Sequence, residues 1–242
     1  MSRSAWIAAC SAGLALLVLV GFRACATKPK ATGAVPVLSQ ERIGLAVMNV
    51  LKVPTGTVAF SVSRKRPADA DIYLNSNFFD ARGPIGELII NGKRASKRVK
   101  GGGYFFVRGG VAFVSAQVAP KSPTYSTQSL IYGINDGKVN TKLFKKTHSK
   151  EPDYRTLVGT DASGDLYIIG SSRTALVTVE AIVNLGRQLG IQEAILPDAG
   201  SSVDYQLSDG VRTEAMKAMP YVIKKGLGKQ EPKSYIVGRI ER

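Results

Sequence analysis

In ILPDAGSSVDYQL, Ile195 to Leu207, an acid, a bare stretch of backbone and two hydroxyls stand at the tip of an apolar run. Asp198 can serve as general acid, general base or nucleophile. Ala199, Gly200, Ser201 and Ser202 behind it allow close approach of backbone and offer N–H groups to an anion. Two other segments also place polar residues at apolar strand ends. Asn75 and Asn77 alternate before two phenylalanines in YLNSNFFDARGPIGELIINGK (73–93), and Arg155 opens RTLVG. An arginine can grip a phosphate bidentately, and asparagines can fix sugar hydroxyls or a phosphoryl oxygen. The three segments together offer what a phosphorylated sugar site requires. Singly, each has an ordinary structural reading: asparagines satisfying a turn, a surface arginine, an aspartate capping a turn.

Cleaving a glycosidic bond normally takes two carboxyl groups. Asp198 is one candidate, and Asp80, Glu87, Glu180 and Asp204 are possible seconds that the sequence does not separate. If the sugar were joined through a phosphodiester, the leaving group would be a phosphate monoester, which departs more readily than an alkoxide. A strong general acid is then dispensable, and Arg155 can stabilise the departing charge.

The elements that must position these groups are mostly strands. Short β-type runs occur at 57–63, 71–76, 86–92, 104–107, 111–118, 129–134 and 234–241, with turn dipeptides such as Asn91-Gly92 and Asp209-Gly210 beside them. Residues 155–170 read as a hairpin turning at Ser163-Gly164. One helix is predicted over 174–190, where apolar residues recur at three- and four-residue spacing, with Gly190 placed to end it. It delivers the chain into the strand that ends at Asp198. The expected fold class is α+β: one domain over 41–242 with a large mixed or antiparallel sheet and one or two packed helices.

The chain has 242 residues, 44% hydrophobic and 21% charged, as in a globular protein. Its net charge of +15 favours anionic partners without choosing among them. Residues 1–26 form a targeting segment: Arg3, an apolar stretch from Trp6 to Phe22, and the small–x–small site Ala24-Cys25-Ala26. The stretch is near the lower limit for spanning a bilayer, so a cleaved signal and a membrane anchor through residues 6–22 are both open. Export to the periplasm, or anchoring in the inner membrane facing it, is expected, with 27–40 as a linker. Both cysteines lie in the targeting segment, which leaves the domain without disulfide or thiolate chemistry. With His148 as the single histidine, in a polar loop, a zinc site is not expected. No cofactor is implied, and the only metal chemistry left open is a carboxylate-bound calcium or magnesium. Walker, dinucleotide and Gly-x-Ser-x-Gly motifs are absent.

Four pieces, in order and spacing over roughly Asp71 to Leu207, resemble the phosphodiester glycosidase domain family: LNSNFFDARGPIGELIINGK, GGGYFFVRGGVAFVS, RTLVGTDASGDLYIIGS and the helix–strand–PDAGSSVDY segment. Members of that family include bacterial proteins associated with exopolysaccharide. The resemblance implies a hydrolase acting on a sugar-1-phosphodiester. Asp198, Arg155 and Asn75 would be catalytic. Asn77, Phe79, Gly86, Gly200, Ser201, Ser202 and Tyr205 would contact substrate. The chain departs from the family pattern where Ser76 and Ala199 replace glycines and where Pro197 precedes the acid. Alternatives are an envelope module that binds anionic glycan without turnover and, on charge alone, nucleic-acid binding. Export and the absence of a basic–aromatic motif argue against the latter.

Overall fold

The computed structural model describes residues 33–80, 82–218 and 232–241. Residues 1–26, the expected targeting segment, lie outside the described residues. Among the described residues every strand pairing is antiparallel, and the strands form three sheets and a small hairpin. The largest sheet has the order Val37–Ile43, Ala46–Val53, Leu166–Ser171, Thr156–Asp161, Ile191–Leu196, Ile131–Asn135, Lys138–Val139. A second runs Val111–Ala116, Gly103–Arg108, Tyr125–Ser129, Leu88–Ile90, Lys93–Ser96. The third runs Thr213–Lys217, Asp204–Ser208, Ile72–Asn75, Tyr235–Ile240, Val58–Ser63. Phe79–Asp80 pairs with Gly83–Pro84 in the hairpin.

Strand alternation sorts the core into two layers. In the largest sheet, Leu51, Val158, Ile168 and Ile195 face inward onto Phe60, Leu74, Phe105 and Ile236 of the other two sheets. Their neighbours Val50, Leu157, Ile169 and Ala194 face the opposite way, onto Ile182, Val183 and Leu185 of the helix. The α+β class is therefore as expected, with the single large sheet replaced by three sheets around a common core.

The helix spans Val179–Gln188, starting five residues later than its periodicity implies. Thr178 caps it by accepting from the Ala181 N–H; before it Arg173 and Thr174 form a turn and Val177 is bridged to Asp153. Gly190 follows at φ +81°, the left-handed conformation that ends a helix. The hairpin over 155–170 is present, as Thr156–Asp161 and Leu166–Ser171. A strand begins at Val37, within the stretch expected as a linker, and buries Leu38 beside Leu51. A Cβ at Gly170 would stand 2.6 Å from the Tyr205 ring, which explains the glycine in an otherwise bulky strand.

Candidate active site

Antiparallel register brings Arg155 and Asp198 opposite each other, and Asn75 to the same loop. Val158 pairs with Ile195 and Gly159 with Ala194, so continuing the register sets Arg155 across from Asp198. The pairing does persist past the sheet, where the Gly200 N–H donates to the Tyr154 carbonyl at 2.9 Å. From the third sheet, Asn75 reaches the same loop. Its Nδ2 donates to the Asp198 carbonyl at 3.4 Å, and its Oδ1 accepts from the Asp204 N–H at 3.1 Å.

Asp198 projects from the loop between Leu196 and a short 3-10 turn, Gly200–Ser202. Its Oδ1 accepts from the Ala199 N–H at 2.9 Å. Burial pushes its carboxyl up to about 6, and the charge of Asp153 adds to the rise. The Ala199 N–H and the Ser202 hydroxyl oppose it by favouring the carboxylate. Ala199 sits at φ −128°, ψ 179°, an extended conformation open to any residue. The left-handed step falls one residue later, at Gly200 with φ +70°. Alanine in place of the family glycine therefore introduces no strain. Ser76 likewise has no positive φ, and its buried hydroxyl bonds to Ser234 Oγ at 3.0 Å.

Asp153 is the carboxylate beside Asp198, and the sequence reading missed it. A Cβ at Gly200 would lie 2.8 Å from Asp153 Oδ2, so the carboxylate rests on the bare backbone of the Asp198 loop. Two backbone hydrogen bonds with Val177 and one from the Tyr154 N–H to Oδ1 hold it there. None of the four expected partners occupies that place. Asp80 is ion-paired with Arg82, Glu87 is buried against Arg94 in another sheet, and Glu180 is exposed in the helix's first turn. The Asp204 side chain turns toward Arg66 and Tyr235.

Several expected contacts take a different form. One terminal nitrogen of Arg155 donates to the carbonyls of His148 and Glu151, at 2.8 and 3.1 Å, while Nε is buried without a protein partner. Desolvation draws the guanidinium below its ordinary pKa, and Asp153 opposes that shift. The expected two-pronged phosphate grip is thus partly spent on the 147–151 turn. Both polar atoms of Asn75 are occupied by loop backbone, so it positions the loop instead of reaching substrate. Asn77 is interior: its Oδ1 accepts from Ser76, Thr127 and Ser234 hydroxyls, and its Nδ2 donates to Ile85. Tyr205 is 1% exposed, and its hydroxyl is filled by Asn49 Nδ2 and the Ser171 carbonyl; it belongs to the core, not to a sugar contact. Ser201 is exposed and Ser202 half-buried at the loop surface. Phe79 is half-buried in the small hairpin, and Gly86 lines a cavity beside it. The His148 side chain is exposed, facing Glu151 at 4.0 Å.

Truncating Asn75 to alanine leaves the Asp204 N–H and the Asp198 carbonyl without their buried partner. A loss of about 2 kcal/mol in urea-unfolding stability is expected. An unchanged unfolding midpoint would remove Asn75 as the clamp of the loop.

The family model for phosphodiester glycosidases matches residues 68–226, which include every group just described at the Asp198 loop. The chain belongs to the phosphodiester glycosidase family. Its fold is shared with the zebrafish N-acetylglucosamine-1-phosphodiester alpha-N-acetylglucosaminidase catalytic domain, auto-inhibited by its pro-peptide. That match has a TM-score of 0.62 at 14% identity, over 88% of this chain and 85% of that one. A Synechocystis protein matches with a TM-score of 0.61 at 10% identity, over 86% and 62% of the two chains. A Burkholderia pseudomallei protein matches at 0.52 and 9% identity, over 80% and 74%. No curated protein matches the sequence. Among the described residues of this family member, no three metal-ligating side chains gather in one place.

Proposed function

We propose that this phosphodiester glycosidase is an exported hydrolase that cleaves a sugar-1-phosphodiester in an anionic envelope glycan. The observation that carries the reading is the pairing of Asp198, half-buried with its carboxyl raised to about 6, with Asp153 across the bare backbone of Gly200. A carboxylate tuned near the working pH can both accept and return a proton. In its ionised form Asp198 takes a proton from water as the oxygen attacks C1 of the sugar. The C1–O bond breaks, its electron pair leaves with the bridging oxygen of a phosphate monoester, and the carboxyl's proton is released to solvent. The negative charge of Asp153 favours the positive charge that develops on the sugar ring. The buried Arg155 Nε–H is a donor within the same strand-end cluster for the phosphoryl charge. Family membership supports the bond cleaved. The basic surface and the apolar segment 6–22 support the envelope setting.

The alternative is a binding module without turnover; Ser76 and Ala199, where the chain departs from the family pattern, are not forced into a strained backbone. Incubation with UDP-N-acetylglucosamine and with sugar–phosphate–sugar diesters separates the readings. Release of reducing sugar together with phosphate monoester is expected. Salt-sensitive binding to such polymers with no product would establish the module instead.

A further inference from the structure

We infer that a basic cavity beside the Asp198 loop is a subsite for a second anionic group of a polymeric glycan; the inference rests on the glycosidase reading above. The cavity has a volume of about 650 Å³ and is ringed by Arg64, Lys65, Arg82, Lys97 and Lys233, with Asp80 as the one acid among its described lining residues. Asp80 is spent on Arg82, through contacts of 2.9 and 3.2 Å. Arg64 is anchored by the Ala95 carbonyl at 2.6 Å, which holds the guanidinium in place without neutralising it. Lys65, Lys97 and Lys233 form no ion pair among the described residues and are exposed. Among the described residues, four cations around one concavity have no acidic partner, which suits a phosphate or carboxylate ligand.

Strand order gives the distance to the catalytic loop. Ser63 pairs with Tyr235, Tyr235 with Asn75, and Asn75 accepts from the Asp204 N–H. The residues that extend these strands therefore form a row: Arg64–Lys65, Lys233–Ser234, Ser76–Asn77, Ser202–Val203. The Ser76 N–H to Ser234 carbonyl bond, at 3.0 Å, continues the pairing past the sheet. At a strand spacing of about 4.8 Å, the backbone at Lys233 lies about 10 Å, and that at Lys65 about 14 Å, from the Ser202 strand. The Asn77 Nδ2 bond to the Ile85 carbonyl fixes the cavity wall to the same row. One substrate chain can thus present a diester at Asp198 and its next charged group at the lysines. Among the described residues, the cavity lining contains no aromatic side chain.

The test uses the full chain and a triple variant, Lys65→Ser, Lys97→Ser and Lys233→Ser, whose exposed side chains leave the fold intact by circular dichroism. Binding is measured to inorganic polyphosphate, polygalacturonate and neutral dextran, beside hydrolysis of a monomeric sugar-1-phosphodiester. For whichever polyanion the wild type binds, affinity is expected to fall about tenfold or more in the variant, with a shallower salt dependence. Dextran should not bind, and any monomer hydrolysis should be unchanged. The polyphosphate and polygalacturonate arms distinguish phosphate from carboxylate as the recognised group. Unaltered polyanion affinity, equal dextran binding, or a matching loss of monomer hydrolysis would overturn the subsite. Absence of hydrolysis in the wild type would count against the glycosidase reading, while the binding comparison would still decide the cavity.

Discussion

Replacing Asp198 with asparagine is expected to lower kcat on a sugar-1-phosphodiester by about 100- to 10,000-fold while the protein stays folded. Asparagine has the same shape and can still accept from the Ala199 N–H. What it cannot do is carry the proton. The same variant makes a second prediction, on stability. Burial raises the Asp198 carboxyl to about 6, so the folded state binds its proton more tightly than the unfolded chain does. Asp198 therefore supports the fold fully below the ordinary aspartate pKa of about 4, and that support is lost as pH rises through about 6. Asparagine does not ionise and escapes the loss. The unfolding free energy of Asp198→Asn should exceed that of the wild type by a margin growing from pH 5 to pH 8, to no more than about 3 kcal/mol. Thermal melts across that range, run beside the assay, check both halves. A variant that keeps wild-type turnover would take the chemistry away from Asp198.

Asp153→Asn is the next largest effect expected, a fall of roughly 100-fold in kcat with little change in stability. The backbone bonds to Val177 remain, and asparagine Oδ1 can accept from the Tyr154 N–H as aspartate does. Losing the negative charge removes one cause of the high Asp198 pKa, so that carboxyl should ionise at lower pH. For an ionised Asp198 acting as base, the wild-type rate rises with pH through about 6, and in the variant that rise moves toward acid. A merely structural Asp153 would reduce stability or rate without moving the limb. The pH dependence of kcat/KM in the two proteins therefore identifies a charged partner specifically.

The sequence made the strand ends legible because turn dipeptides and apolar runs are local signals. The hairpin at Ser163-Gly164 and the strand ending at Leu196 are read correctly on that basis. Asp153 escaped because its importance comes from pairing between strands far apart in sequence. In KEPDYRT it looks like part of a polar loop, and only the Val158–Ile195 register carries it to Gly200. A usable signal was present: an acid two residues before an arginine that opens a buried strand. Tyr205 was misread for a related reason. Its position after the loop suggested a site residue, whereas alternation turns its ring inward onto Gly170. Burial of a polar side chain is decided by the partners waiting inside, here Asn49 and the Ser171 carbonyl, which no local pattern announces. Ala199 shows the converse. This departure from the family pattern lies one residue away from the backbone step that requires glycine.

Hydrolysis in oxygen-18 water tests most directly whether this chain breaks the sugar C1–O bond. The water oxygen activated by Asp198 should appear on C1 of the released sugar, with the phosphate monoester unlabelled. Label in the phosphate and none in the sugar would mean that the P–O bond is broken instead, and would contradict the glycosidase account.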